Sequence, residues 1–289
     1  MQLGRDGETG VAWINRVRRR LEERVDQAVT LAGWKLRRPP SEPAFDGDAR
    51  FALLTVNRST TRYLKLLLLT LLEQTDLARI GRIIVCDNGS KDGGDSFLRR
   101  LTAATPKVVG VFRHHGLSHA RGMRAALAAR TRNETERPGH ARTNVLLFCD
   151  TDVVFRNPTT LAALAEIFAG GLAAAAGELR GDLYPYPEAQ ASFLAVRADW
   201  WARREVWPWV NHGAPSYWLQ RSLWRAGGRI QHFPSNHGGY ILHRGRAAVA
   251  AVAAGSRFDS YATIRSTAPH FMGVPGGAEL WAAIEERHA

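Results

Sequence analysis

Apolar runs that end in polar residues alternate along this chain with Leu-rich and Ala-rich segments of helical length. Strands are predicted over residues 51–58, from residue 82 into a turn of Gly, Asn and Asp, over residues 108–112, and from residue 145, with helices over 63–72 and 118–130. Strands and helices in this order pair the strands in parallel through right-handed crossovers. The pattern predicts a Rossmann-like α/β fold with a mostly parallel central sheet flanked by helices. The fingerprint Gly-X-Gly-X-X-Gly does not occur, so a dinucleotide cofactor is not indicated.

Two carboxylates, Asp150 and Asp152, stand at the end of the apolar run of residues 145–155. Because strand side chains alternate between faces, the two are expected on the same side. Carboxylate oxygens bind Mg²⁺ or Mn²⁺, and these ions bind phosphate oxygens. Open α/β sheets bind ligands at the carboxyl ends of their strands, so a metal–diphosphate site is one interpretation. A solvated turn is the other.

Four motifs in order resemble those of the GT-A glycosyltransferases, and within them the inverting glycosyltransferase family two. They are Thr-Val-Asn-Arg at residues 55–58, Val-Cys-Asp-Asn-Gly-Ser-Lys-Asp-Gly at 85–93, Ala-Arg-Gly at 120–122 and Cys-Asp-Thr-Asp at 149–152. The resemblance covers roughly residues 50–245. It implies a GT-A fold and transfer of a sugar from a nucleotide-diphosphate sugar to an acceptor hydroxyl or amine, with inversion.

The resemblance also implies roles for particular residues. An acidic residue at the end of the second strand contacts the nucleobase in the family, and Asp87 holds that place here. The second Asp of the Asp-X-Asp pair would bind Mn²⁺ or Mg²⁺, with the first near both the ribose and the ion. The implied metal ligands are Asp150, Asp152 and, on a later loop, His243, with His237 as second choice. The implied donor-binding residues are Thr55, Asn57, Arg58, Asp87, Asn88, Arg121 and Asp150. Asp92 is expected to cap the helix that follows it.

The catalytic base is where the sequence departs from the family. Family members usually carry a pair of carboxylates where this chain reads Trp-Val-Asn-His-Gly-Ala-Pro-Ser-Tyr at residues 209–217. His212 is the only side chain there that titrates near neutral pH, so it is a candidate base, although a turn or cap role is equally open. Asp182 is the second candidate, and Glu178, Asp199 or an inactive site are further alternatives.

Three segments are expected along the chain. Residues 1–48 hold a basic amphipathic helix and a linker, residues 49–254 the GT-A domain, and residues 255–289 a tail with a short helix. The donor half of the domain would end near residue 156 and the acceptor half would follow. The N-terminal helix can dock on the domain, touch an anionic membrane surface or join a partner. The sequence has no apolar run of membrane-spanning length and no signal-peptide core, so a cytoplasmic location is expected, with a possible peripheral contact to the inner membrane face. Two cysteines, Cys86 and Cys149, are expected to be buried and reduced.

A net charge of +12 raises the question of nucleic-acid binding. The basic residues are spread along the chain, and no zinc spacing or RNA-binding aromatic motif accompanies them, so no nucleic-acid partner is expected. A UDP, GDP or dTDP sugar would use the same charge, whereas the acceptor is unknown. Two alternatives stay open: a phosphatase of the haloacid dehalogenase type, whose first motif resembles residues 148–153, and a noncatalytic nucleotide or nucleic-acid binding protein.

Overall fold

The computed structural model describes residues 10–36, 42–113, 118–136, 142–181, 186–210, 216–247 and 268–289. Seven strands of this part of the chain form a central sheet: β1 (Phe51–Asn57), β2 (Ile80–Asn88), β3 (Val108–Arg113), β4 (Val145–Cys149), β6 (Ala173–Leu179), β7 (Ala189–Arg197) and β8 (Arg229–His232). Their order in the sheet is β3-β2-β1-β4-β7-β6-β8.

The central sheet is mostly parallel, as the sequence predicts. β1 pairs in parallel with β2 and β4, β2 with β3, and β6 with β8, whereas β7 runs antiparallel to its neighbours β4 and β6. These directions bring the carboxyl ends of β1, β2, β4, β6 and β8 to the same edge as the amino end of β7. We call this edge the polar edge, since the site described below lies along it.

Helices cover both faces of the sheet because strand residues alternate between two apolar clusters. Phe51 and Leu53 pack on one face, and Ala52 and Leu54 on the other. The first face is covered by α2 (Thr61–Leu72), α3 (Gly94–Ala104) and α5 (Thr160–Ala169). The second is covered by α4 (His119–Glu136), α6 (Ala198–Trp201) and α7 (Tyr217–Arg225).

The apolar run 145–155 forms two strands rather than one. After β4, residues 150–152 turn, with the Val153 amide donating to the Asp150 carbonyl at 3.3 Å. The chain then continues as β5 (Val153–Phe155), which pairs antiparallel with β9 (Ile241–His243) in a separate two-stranded sheet. Asp150 and Asp152 therefore lie in a turn, and the strand alternation that predicted a shared side does not apply to them.

The two terminal helices both pack on the sheet domain. In α1 (Gly10–Leu36), the Trp34 indole donates to the Val206 carbonyl at 2.8 Å. In α8 (Gly277–Arg287), Trp281 is buried against Val154 of β5 and Leu242 of β9. Both helices were predicted from the sequence. Within the described residues, no helix combines the length and apolar character needed to cross a membrane.

Candidate functional site

The first part of the site is the turn that joins the carboxyl ends of β1 and β2. The side-chain amide of Asn57 donates a hydrogen bond to Asp87 Oδ2 at 3.0 Å, and the backbone amide of Ser90 donates one to Asp87 Oδ1 at 3.1 Å. Asp87 and Asn57 are almost fully buried. Gly94 makes this packing possible, because a Cβ there would lie 2.5 Å from Asn57 Nδ2 and 2.6 Å from Asp87 Oδ2. The sequence pattern of Asn, Asp, Gly and Ser thus builds a rigid polar turn at the polar edge.

Asp92 caps a different helix from the one expected. Its carboxylate accepts hydrogen bonds from the Thr61 backbone amide at 2.8 Å and from the Thr61 hydroxyl at 2.7 Å. It therefore provides a hydrogen-bond partner for a free backbone N–H group at the amino end of α2. The helix that follows Asp92, α3, begins after Gly93 with no side-chain cap. Short-range sequence signals do not distinguish these two helices because the turn folds back over the start of α2.

The second part of the site is a cluster of Asp150, Asp152 and His243. One ligand atom from each lies within 4.8 Å of the others. His243 Nε2 is 3.3 Å from Asp152 Oδ1 and 3.7 Å from Asp150 Oδ2. The backbone fixes this geometry, because Val153 and His243 are paired residues of β5 and β9, and the Arg244 amide donates to the Asp152 carbonyl at 2.9 Å.

Burial and charge act in opposite directions on this cluster. Burial favours the neutral form of Asp152, but the neighbouring His243 and the Ala247 amide outweigh it, so the pKa of Asp152 lies below its usual value. Burial likewise disfavours the imidazolium of His243, yet the charges of Asp152 and Asp150 raise its pKa above the usual value. Without an ion, the two carboxylates thus favour the protonated form of the imidazole that lies between them.

These three side chains fit a divalent cation. Two carboxylates supply hard oxygen ligands, and the imidazole adds the nitrogen that Mn²⁺ accepts more readily than Mg²⁺. Asp150 is about one-third exposed while Asp152 and His243 are buried, so one side of the cluster faces solvent. A cation there would replace the proton on His243 as the positive charge between the carboxylates.

A cavity of about 270 Å³ opens on this cluster from the side of β1 and β2. Of the residues predicted to bind a donor or metal, five line it: Arg58, Asn88, Asp150, Asp152 and His243. Arg246 lines it as well. The cavity therefore combines two guanidinium groups with the acidic cluster, which is the chemistry required to hold an anionic ligand and its counter-ion.

Four other predicted residues lie elsewhere. Asn57 and Asp87 brace the turn beneath the cavity, and Thr55 is fully buried in the middle of β1, its hydroxyl without a partner among the described residues. Arg121 points to α1, where its Nε donates to Asp26 at 2.7 Å. The two candidate bases, His212 and Asp182, lie outside the described residues.

Comparison with solved structures shows which fold this chain has. No protein-family profile and no curated protein sequence matches the chain. The structure of S. aureus TarS residues 1–349 in complex with UDP superposes with a TM-score of 0.50 at 12% identity, over 73% of this chain and 68% of that one. The chain has the GT-A fold of glycosyltransferases.

Two further structures are similar at the same low identity. They are the Pyrobaculum calidifontis mannosyltransferase PcManGT in complex with GDP-Man and Mn²⁺ (TM-score 0.49, 15% identity, 89% of this chain and 76% of that one) and the Mycobacterium tuberculosis glucosyl-3-phosphoglycerate synthase in complex with Mn²⁺, UDP and phosphoglyceric acid (TM-score 0.49, 14%, 75% and 84%). In another superposition the chain spans 59% of TarS 1–349.

Three residues of this GT-A cavity were missed in the sequence. Thr60 and Thr151 line it and share a hydrogen bond of 2.9 Å, which ties the start of α2 to the Asp150 turn. His119, at the start of α4, also lines it and stacks on Trp209 with ring centroids 6.2 Å apart. His119 directly precedes the Ala-Arg-Gly motif, so its place beside a family motif is the signal that could have found it.

Proposed function

We propose that this protein is a metal-dependent glycosyltransferase. It transfers a sugar from a nucleotide-diphosphate sugar to an acceptor hydroxyl or amine with inversion. The observation that carries the proposal is the cluster of Asp150, Asp152 and His243, which opens into a cavity with Arg58 and Arg246 at the polar edge of a GT-A fold. The UDP bound in the TarS structure supports a nucleoside diphosphate as the ligand class.

Each group of residues has its own role in the proposed site. Asp150, Asp152 and His243 hold Mn²⁺ or Mg²⁺, which when bound neutralises charge on the departing diphosphate. Arg58 and Arg246 attract the diphosphate oxygens, and Asn88 contacts the nucleoside at the carboxyl end of β2. Asn57 and Asp87 keep that turn in place, so that the reacting groups are positioned before the transfer step. The rival assignment, a phosphatase with Asp150 as nucleophile, has no support from the fold comparison.

A thermal-shift panel tests the proposal directly. UDP, GDP and dTDP sugars are each added with Mn²⁺ and with a chelator, since a ligand that binds the native state raises its melting temperature. We expect a metal-dependent rise with one nucleotide class. Asp152→Asn should remove this rise, whereas Asp95→Asn, at an exposed carboxylate in α3, should retain it. A panel without any metal-dependent shift would reject the donor site.

A further inference from the structure

A second cavity of about 620 Å³ lies at the same polar edge, on the far side of β7 from the donor turn. It is formed by the carboxyl ends of β6 and β8 and the amino end of β7. The polar and charged residues that line it are Glu178, Arg180, Gln190, His232 and His237. The two cavities therefore flank β4, whose carboxyl end leads into the turn with Asp150 and Asp152.

Glu178 is a buried carboxylate with three hydrogen-bond donors. Its side chain is 5% exposed. It accepts from the Ser235 hydroxyl at 3.2 Å, from the Asn236 amide and from His237 Nδ1. Burial would raise the pKa of this carboxyl, but the hydrogen bonds and the His237 ring outweigh it and lower the pKa below its usual value. Glu178 is therefore ionised and held in one orientation.

His237 is the exposed partner of this pair. Its side chain is 56% exposed and lines the cavity. Because Nδ1 faces an ionised carboxylate, the neutral ring carries its proton on Nδ1, which leaves a lone pair on Nε2. A buried carboxylate behind an imidazole fixes the tautomer and stabilises the imidazolium that forms when Nε2 takes a proton, as in hydrolase triads.

The cavity also offers hydrogen-bonding groups to a polyhydroxyl ligand. Gln190 is 6% exposed, and its Oε1 has no partner among the described residues, so it is available to accept from a hydroxyl. His232 Nδ1 accepts the Leu179 amide at 3.2 Å, which places the ring proton on Nε2 as a donor. Arg180 adds a guanidinium at the rim.

One residue connects this cavity to the acidic cluster. The backbone amide of Asn236 donates a hydrogen bond to Glu178, and the side-chain oxygen of Asn236 accepts one from the backbone amide of His243 at 2.9 Å. The loop that carries His237 therefore leads directly into β9 and its predicted metal ligand. His237 therefore lies on the segment that connects the second cavity to the acidic cluster through Asn236.

We propose that this cavity is the acceptor site and that His237, oriented by Glu178, is the general base of the transfer. This proposal rests on the proposed function and adds to it the acceptor site and the general base. The acceptor is a polyhydroxyl compound whose hydroxyl gives its proton to His237 Nε2 while its oxygen bonds to the anomeric carbon. The bond from that carbon to the diphosphate breaks, and the nucleoside diphosphate leaves with the electron pair. The dyad stands in for the carboxylate pair that the sequence lacks near the start of α7.

The test uses two small acceptors with the donor found in the thermal-shift panel. Water must lose a proton when it attacks, whereas the azide anion needs no base. We expect His237→Gln to lower the rate of donor hydrolysis by about 100-fold or more, the usual contribution of a general base, with glycosyl azide formation within about two-fold of the wild type. Glu178→Gln, at the positioning residue, should lower hydrolysis at least about ten-fold with an unchanged donor Kd.

The matched control is His288→Gln, at a histidine that also lies beside a carboxylate, Glu73, but lines neither cavity, and it should keep the wild-type hydrolysis rate. Hydrolysis by His237→Gln at the wild-type rate overturns the proposal, as does an equal loss of hydrolysis and azide transfer, because that marks a structural role. The nitrogen NMR spectrum of His237 checks the dyad without any donor: a proton on Nδ1 that Glu178→Gln perturbs supports it, and the opposite tautomer overturns it. Failure of the proposed function itself appears separately, as a panel without donor binding.

Discussion

Asp26 in α1 accepts a hydrogen bond from Arg121 Nε in α4 at 2.7 Å, and Arg124 of the same helix lies 3.4 Å from the same oxygen. Asp26 is 8% exposed although it belongs to a terminal helix with several exposed apolar side chains. The contact fixes α1 to the second face of the sheet domain. It also holds Arg121, the arginine of the Ala-Arg-Gly motif, against α1 rather than against the cavity.

Asp26→Ala should loosen α1 from the domain. The substitution leaves two guanidinium groups without their shared partner, a loss of about 1–3 kcal/mol for charged hydrogen bonds of this kind. We expect faster tryptic cleavage within α1 while the sheet domain stays intact, measured by gel and mass spectrometry. Val25→Ala, at a neighbouring side chain that is 60% exposed, should be cleaved like the wild type. Equal cleavage of all three proteins would show that Asp26 does not hold the helix.

Gly94→Ala should destabilise the protein and distort the donor turn. The added Cβ would lie 2.5 Å from Asn57 Nδ2 and 2.7 Å from Thr61 Oγ1, so the turn must shift. Overpacking of this kind costs about 1–3 kcal/mol, measured by urea unfolding. Gly33→Ala in α1 is the control, since a Cβ there meets nothing within 4 Å and alanine favours a helix. A Gly94→Ala protein as stable as the wild type would contradict the packing described for this turn.

Glu188→Gln should stabilise the protein at neutral pH. Glu188 is 2% exposed and its Oε2 has no partner among the described residues. Burial raises the pKa of this carboxyl, against a smaller opposite effect of Arg180. The folded state therefore holds the proton more tightly than the unfolded state, and stability falls as pH rises from the ordinary value of 4.5 through the raised pKa.

The glutamine variant lacks this loss, so its melting temperature should exceed that of the wild type at pH 7. The difference should shrink on acidification and disappear below about pH 4.5. Melting curves across this pH range measure it. Glu166→Gln, at an exposed position of α5, should show no such pattern, and a difference between Glu188→Gln and the wild type that persists at low pH would point to a cause other than the charge.

His243→Ala and Asp152→Asn should each weaken Mn²⁺ binding. Both side chains contribute one ligand atom to a cluster within 4.8 Å, and loss of one ligand of three should lower the affinity at least about ten-fold. The electron paramagnetic resonance signal of free Mn²⁺ measures the bound fraction without nucleotide. His288→Ala, whose ring lies beside Glu73, is the control. Binding that survives both site substitutions would place the ion elsewhere.

The central fold could be predicted from the sequence because its strands are continuous apolar runs with polar ends. β1, β2, β3 and β4 begin within a few residues of their predicted starts, and the order of strands and helices gave the parallel pairing. The antiparallel pair of β5 and β9 could not be predicted, because two short apolar segments far apart in sequence carry no signal for their register.

Some residues of the candidate site could likewise be predicted from the sequence, and others could not. Asp150 and Asp152 were found because the motif is local, and His243 because a family loop was expected near it. The contact of Glu178 with His237 joins residues 59 positions apart, and the side chain of His237 could not be assigned to a cavity formed by three strands. Thr60 was missed for the same physical reason: its cavity exists only after the turns at the polar edge have assembled.

The pairing of Val153 with His243 has a consequence for affinity. Asp152 and His243 are separated by roughly ninety residues of chain, and bringing such distant ligands together from a flexible chain carries a loop-closure entropy. Here the β5–β9 hydrogen bonds and the packing of Trp281 beneath them offset this loop-closure entropy when the protein folds. A cation that binds to this cluster would therefore lose little of its binding free energy to ordering the polypeptide, so that two carboxylates and one imidazole would suffice to hold it.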